Sequence, residues 1–236
     1  MERDIYIGWD SREPLCYDVA KYSIERRSSW PLSIMPLKLT TLKPILDRPI
    51  EWRGNQMWCP ISNAPQTTEF SITRFLVPFL NFSGWALFCD PDIVCLADIE
   101  KLFELADPDY AVMVVKHDYT PTDDFHMVDQ IQVKIPRKNW ASVILWNCEH
   151  EANKRLTLDV VRTWPGRDLH GFKWLKDSEI GSLPLEWNYL VDVYTNTVEP
   201  KLLHFTNGGP WLDGWEPLES DQTWNEEYQS FLKQKV

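Results

Sequence analysis

Glycine is scarce in this chain. Its 236 residues hold 9, where usage of roughly 7% would give about 16. Paired-cysteine motifs are missing as well. The five cysteines (16, 59, 89, 95 and 148) are odd in number and form no CxxC. That argues against a disulfide framework and reads as reduced, mostly buried thiols of a cytoplasmic protein. Positive charge is short: 24 Lys and Arg stand against 35 Asp and Glu, for a net charge of −11. A nucleic-acid backbone needs a basic stripe, and none is visible; an anionic membrane surface is disfavoured for the same reason. No apolar run reaches the ~18 residues of a membrane span. The opening MERDIYIGWD is charged and enters a strand at once, so no signal peptide is expected there. There is no internal repeat and no low-complexity segment.

What is abundant is tryptophan, with 13 residues. These serve either a heavy aromatic core or flat surfaces for a ring-shaped ligand such as a sugar. Hydrophobic residues make up 44% and charged residues 25%, a globular balance, and the length suits one large domain or two small ones.

Strand-like and helix-like segments alternate. IYIG (5–8) is a strand, followed by helical spacing from Glu13 to Arg26; LSIMPLKL (32–39) is a second strand. Residues 43–66, rich in Pro, Trp, Asn and Gln, are expected to be a long ordered loop. A helix is predicted over Thr67–Leu80 and a short one over Ile99–Leu105. WALFC (85–89), YAVMVV (110–115) and SVILWN (142–147) lack alternation and read as buried strands of a largely parallel sheet. Residues 149–163 and 168–176 look helical, and KLLHF (201–205) is a last strand. This order predicts an α/β domain, in which ligands bind at the carboxyl ends of the strands.

The tripeptide Asp-Pro-Asp occurs twice, as Asp90–Asp92 and Asp107–Asp109. The first copy follows a buried strand. Residues i and i+2 of an extended chain point to one side, and two carboxylates so placed repel unless a cation lies between them. An acidic protein that handles phosphates would also need such an ion. The second copy precedes a strand, where Asp initiates a turn and Pro follows. On position alone, the first copy is either a metal site or a turn; the second is expected to be structural.

The ordered set IYIGWDSREPLCYDVAKYSI, EFSITRFLVPFL, WALFCDPDIVCLADIEKLF, SVILWN, LPLEWNYL and LLHFTNGGPW resembles glycosyltransferase family 8 and its relatives of the A-type glycosyltransferase fold (GT-A). The resemblance runs from about residue 4 to 215. It implies one Rossmann-like GT-A domain over 1–236, with a mixed, mostly parallel sheet flanked by helices. Residues 1–115 would be mainly the nucleotide-binding half, 116–215 mainly the acceptor half with the metal histidine, and 216–236 a C-terminal tail helix.

By that resemblance Asp90, Asp92 and His204 bind Mn²⁺, with Mg²⁺ as the alternative, and the ion holds the diphosphate of a nucleotide sugar. Carboxylates and one imidazole suit Mn²⁺. Asp10 would accept from the uracil N3–H, favouring UDP; as an alternative it caps the helix near Glu13. Arg74 would reach donor phosphate or sugar, with a surface ion pair as its alternative. Gly208 and Gly209 would let backbone N–H groups approach a phosphate, with Trp211 beside them. Asn139 falls at the donor-sugar position, and Asp168 and His170 at a catalytic segment. Three departures stand out. Gly209 occupies the place of a diphosphate lysine, for which Lys116, Lys201 or Arg12 could substitute. The donor-sugar asparagine is displaced by one position, to Asn139, or replaced. His170 replaces an acid.

The implied enzyme is a metal-dependent glycosyltransferase of polysaccharide biosynthesis, moving a sugar from a UDP-sugar to a glycan or other hydroxyl acceptor with retention. An inverting course would need a base from among Asp168, His170, Asp177 and Glu179. Residues 43–66 and 119–140 are expected to wall the acceptor site. Two rivals are a nucleotidyltransferase, whose Gly-rich basic signature IYIGWDSREP lacks, and a non-catalytic sugar-binding domain, which would not need Asp90, Asp92 and His204 together.

Overall fold

The computed structural model of the chain describes residues 2–118, 137–195 and 198–234. The chain opens with β1 (Arg3–Gly8), α1 (Pro14–Glu25) and β2 (Leu32–Leu37). α1 starts on Pro14, whose missing N–H is no loss in a first turn. It buries Cys16, Val19, Ala20 and Ile24, one stripe at helical spacing.

Next come β3 (Glu51–Arg53), β4 (Gln56–Cys59) and β5 (Ala64–Gln66), an antiparallel sheet of their own. The loop expected over 43–66 is corrected here. Trp52 lies opposite Met57 and Trp58 opposite Pro65, in strands too short for alternation to show. The remaining strands are β6 (Trp85–Cys89), β7 (Ile93–Cys95), β8 (Val112–Val114), β9 (Val143–Asn147), β10 (Ile180–Ser182), β11 (Tyr189–Leu190) and β12 (Leu202–His204).

The main sheet has the order β10-β8-β9-β6-β1-β2. All its neighbours pair in parallel except β9, which is antiparallel to both β6 and β8. WALFC is thus buried as expected, but between one parallel and one antiparallel neighbour. Its residues alternate between two cores: Ala86 and Phe88 face the one with Tyr6 and Trp146, Leu87 and Cys89 the one with Ile5 and Ile7. Mixed pairing has a consequence for placement. The carboxyl ends of β1, β6 and β8 and the amino end of β9 share one edge.

Three helix expectations are corrected. Over Thr67–Leu80 the helical part is a 3-10 turn Thr73–Leu76 and a short helix Val77–Leu80. Residues 68–71 turn instead, because Ser71 Oγ takes the Thr68 N–H at 3.1 Å and Asp10 Oδ2 takes the Glu69 N–H at 3.1 Å. Residues 149–163 split into a 3-10 stretch Glu151–Arg155 and a helix Leu158–Thr163 capped by Thr157. Helix Gly166–His170 stops before Phe172, whose φ of 51° is left-handed and cannot continue it. The tail carries helix Gln222–Gln234, tied to α1 through buried Glu227 and its ion pairs with Arg26 and Arg27, both at 2.7 Å. Among the described residues no helix is long and apolar enough to cross a membrane.

Candidate metal centre and its cavity

β6 ends at Cys89 and the chain steps directly into Asp90. The Asp90 N–H donates to the Ser142 carbonyl at 2.8 Å, which extends the β6–β9 ladder and holds Asp90 at the sheet edge. Asp92 then leads into β7, which belongs to a second sheet, β11-β12-β7. β12 runs antiparallel to β7 with His204 opposite Ile93, and the Phe205 N–H donates to the Asp92 carbonyl at 2.9 Å. Backbone register therefore sets His204 beside Asp92.

One ligand atom from each of Asp90, Asp92 and His204 lies within 4.8 Å of the other two. His204 Nδ1 is 2.9 Å from Asn188 Oδ1. The Asn188 amide nitrogen in turn donates to Ser142 Oγ at 2.9 Å and to the Asn139 carbonyl at 3.3 Å. That leaves Asn188 Oδ1 as acceptor, so Nδ1 carries the ring proton and the Nε2 lone pair faces inward. Nε2 is 3.5 Å from Asp92 Oδ1, too long for a good hydrogen bond.

The carboxylates show the strain of the arrangement. Asp92 Oδ1 is buried and accepts no hydrogen bond, while the buried Asp90 Oδ1 is paired with the Arg74 guanidinium 2.8 Å away. Burial pushes the Asp90 carboxyl up to about 7, with Asp92 adding to the rise and Arg74 opposing it. Burial alone would lower the His204 pKa, but Asp92 and Asp90 outweigh it and hold it above the ordinary histidine value. Unsatisfied buried carboxylates are costly. Two carboxylate oxygens and an imidazole nitrogen, the latter oriented from behind, fit a divalent cation.

The centre opens into a cavity of about 380 Å³. Arg74 lies on its wall, fully buried. Its Nη1 sits 2.8 Å from Asp90 Oδ1 and donates to the Ala141 carbonyl at 2.7 Å. Arg74 thus pairs with Asp90 directly, through an ion pair that is buried where a surface one was the alternative. Cys59 and Ser62–Thr68 also line the cavity, so part of the 43–66 segment does border the site. The 119–136 part of the other expected wall lies outside the described residues.

The remaining sequence-predicted residues divide. Asn139 lines the cavity with its Nδ2 buried and unbonded. His170 lines it too; its Nε2 is 2.9 Å from the Ser71 carbonyl, and burial, with Arg74 nearby, pushes its pKa down to about 3. Asp168 is not among the lining residues and pairs with Lys173 at 2.7 Å. Asp10 is buried and also off the lining. Both of its oxygens are taken: Oδ1 by the Arg12 N–H (3.0 Å) and Nε (2.8 Å), Oδ2 by Arg12 Nη2 (2.6 Å) and the Glu69 N–H (3.1 Å). A base N–H would find no free lone pair there. Gly208, Gly209 and Trp211 also stand off the lining. A Cβ at Gly209 would come within 2.3 Å of the Trp211 ring, and one at Gly208 within 2.8 Å of Leu212. Their lack of a side chain is explained by packing. The Trp211 indole donates to Glu13 Oε2 at 3.0 Å.

Sequence reasoning missed three neighbours of the centre. Asn188 lies in LPLEWNYL, a segment whose place in the resemblance was visible although its hydrogen bond was not. Glu13 is near Asp92, and burial, with that carboxylate adding, pushes its pKa up to about 7. Lys138 lines the cavity close to Asp90; the signal for it was its place directly before Asn139.

The sheet order, the Asp-x-Asp at the end of β6 and the histidine brought to it by β12 define the A-type glycosyltransferase fold. Solved structures agree. The glycosyltransferase GlyE of Streptococcus pneumoniae TIGR4 superposes with a TM-score of 0.62 at 15% identity, over 99% of this chain. The chain spans 63% of GlyE's length. The galactosyltransferase LgtC, solved with donor and acceptor sugar analogs, gives 0.56 at 12% identity over 96% of this chain and 95% of that one. Mouse xyloside xylosyltransferase 1 gives 0.52 at 11% identity, over 87% and 98%. No family model matches the sequence. The chain belongs to the family of Protein CDI of Arabidopsis thaliana, to which it is 42% identical over 236 residues, covering 98% of this chain and 87% of that protein.

Proposed function

We propose that the protein is a metal-dependent glycosyltransferase that moves a sugar from a nucleoside diphosphate sugar to a hydroxyl group of a glycan or similar acceptor. The observation that carries this reading is the triad Asp90, Asp92 and His204, which lines the cavity with the buried Asp92 Oδ1 left unbonded. Mn²⁺ is the ion we assign, from the mixed oxygen and nitrogen donors. Bound there, a divalent cation would neutralise the diphosphate as it departs.

The chain's own residues divide the remaining work. Asn188 fixes the His204 tautomer, and Arg74 offsets the Asp90 charge. Asn139 presents its free amide to the donor sugar. His170 forms wall. We assign a retaining course. Among the described residues, only His170 of the four sought as an inverting base lines the cavity, and a ring with a pKa near 3 is a poor proton acceptor at neutral pH. UDP is assigned on the resemblance. Asp10 contributes to it only by anchoring Arg12. The five free thiols, four of them buried, support a reducing compartment, the cytoplasm.

The test is incubation of the protein with a panel of UDP-sugars and Mn²⁺, following UDP release. Slow release that EDTA abolishes is expected. Binding of sugars without any nucleotide release, in all conditions, would leave a sugar-binding domain instead.

A further inference from the structure

Most tryptophans and phenylalanines of this chain are packed away. Among the described residues only Trp30, Trp52 and Phe82 are strongly exposed. Trp30 precedes β2 and Phe82 precedes β6, and both strands run parallel to β1. Those two rings therefore lie at the amino edge of the sheet, away from Asp90. Trp52 does not.

Trp52 is in β3 of the small sheet. Across its three strands Trp52 stands opposite Met57, and Met57 opposite Gln66, so the three side chains share one face. Gln66 is buried and lines the cavity, Met57 is buried, and Trp52 ends the row 56% exposed. Arg12 ties the ring to the same place. Its Nη2 donates to the carbonyl of the lining residue Thr67 at 2.8 Å, and its guanidinium carbon is 6.0 Å from the centre of the Trp52 ring. Trp52 thus stands at the rim of the cavity. An indole left largely in water forgoes the stabilisation that burial would give it, so core packing does not account for its place.

The size of the cavity gives that place a use. At about 380 Å³ it lies near the lower end of small-molecule pockets, roughly 300–1,000 Å³. Sugar transfer needs two substrates at once. A donor seated against the metal centre leaves the acceptor to enter past the exposed lining residues Asn63 and Arg167, over the rim.

We propose that Trp52 is a stacking platform for a pyranose ring of the acceptor, which makes the acceptor a saccharide. This inference rests on the glycosyltransferase reading and names the class of its second substrate. One face of a pyranose is made of C–H groups and lies flat on an indole, while its hydroxyls stay at the edge, where a polar neighbour can meet them. Arg12 is such a neighbour: its Nε and Nη2 are taken by Asp10 and Thr67, and Nη1 bonds to none of the described residues.

The test uses the full chain with Mn²⁺ and UDP, and maltose, cellobiose and lactose as probes. Saturation-transfer NMR should show ring C–H signals from at least one of these sugars with the wild type. Trp52→Ala should weaken that binding about tenfold, the usual loss of an aromatic anchor. Trp52→Phe, which keeps a flat ring, should recover part of it, and Phe82→Ala should bind as the wild type does. Undiminished binding in Trp52→Ala, or no saccharide signal from the wild type, would overturn the inference; so would a serine-rich peptide that binds where the sugars do not. Mn²⁺-dependent UDP release by the wild type, measured beside these titrations, would then leave the glycosyltransferase reading standing. Sugar binding that depends on Trp52, with no release from any UDP-sugar, would overturn that reading instead.

Discussion

The two Asp-Pro-Asp tripeptides have the same three residues and opposite lives. Asp90–Asp92 leaves β6 at the functional edge of the sheet. Pro91 and Asp92 are buried, and a carboxylate oxygen of each aspartate converges with His204. Asp107–Asp109 enters β8 from the other edge, with Pro108 and Asp109 exposed. There Asp107 Oδ1 accepts the Asp109 N–H at 3.0 Å and the Asp107 carbonyl accepts the Tyr110 N–H at 3.1 Å. The second copy satisfies itself and closes a turn. The first closes no turn of its own: Asp90 pairs with the distant Arg74, and Asp92 Oδ1 is left without a hydrogen bond. Strand polarity, more than the motif, separates a site from a turn.

The sharpest way to break this comparison is a pair of matched substitutions. Asp92→Asn should cut Mn²⁺-dependent UDP release from a UDP-sugar on the order of a thousandfold, since a bound cation supplies several kcal/mol of charge stabilisation. Asp109→Asn should stay within about twofold, as expected of a surface turn. Equal losses would remove the distinction between the copies.

A smaller effect is expected one layer out. Asn188→Ala should weaken Mn²⁺ binding about ten- to a hundredfold, the usual consequence of losing the partner that orients a ligating histidine; calorimetry with the metal alone checks it. No side chain behind the second copy should matter in this way.

The third effect reads the buried charge without metal. The Asp90 carboxyl is raised to about 7 in the folded chain, against about 4 unfolded. The folded state therefore holds the proton more tightly, and the stability this confers is present at acid pH and lost as the pH rises from about 4 through 7. In EDTA, the wild-type melting temperature should fall across that window, and Asp90→Asn, which cannot titrate there, should lose that pH dependence. Mn²⁺ at neutral pH should raise the melting temperature of the wild type and leave that of Asp90→Asn nearly unchanged. The smallest effect belongs to the turn: Asp107→Ala should cost about 1 kcal/mol in denaturant unfolding, one hydrogen bond's net worth, and leave metal binding unchanged.

Much of this was legible in the sequence, for reasons that particular residues make plain. Buried strands such as Trp85–Cys89 and Val143–Asn147 declare themselves because unbroken apolar runs have few other uses. Their edge then locates Asp90. Short elements did not show: β7, β10 and β11 have two or three residues each, below any readable period. The helix expected at Thr67 failed because Thr68, Glu69 and Ser71 hydrogen-bond to a turn and to Asp10, a contact across 59 positions. Asp10 itself looked like a free acceptor, since nothing local predicts that Arg12 folds back onto it. Gly208 and Gly209 looked like phosphate loops but are small because Trp211 and Leu212 crowd them. Residue type was readable; the competition for each residue's hydrogen bonds was not.

The central claim is that one divalent cation is held by Asp90, Asp92 and His204. Electron paramagnetic resonance of a Mn²⁺ titration tests it most directly, because free and bound ions are counted without a substrate. Wild type should bind one Mn²⁺ per chain, and so should the double variant Asp107→Asn, Asp109→Asn. Asp92→Asn and His204→Ala should lose that ion while keeping the wild-type circular dichroism. An unchanged Mn²⁺ count in both of these variants would contradict the account.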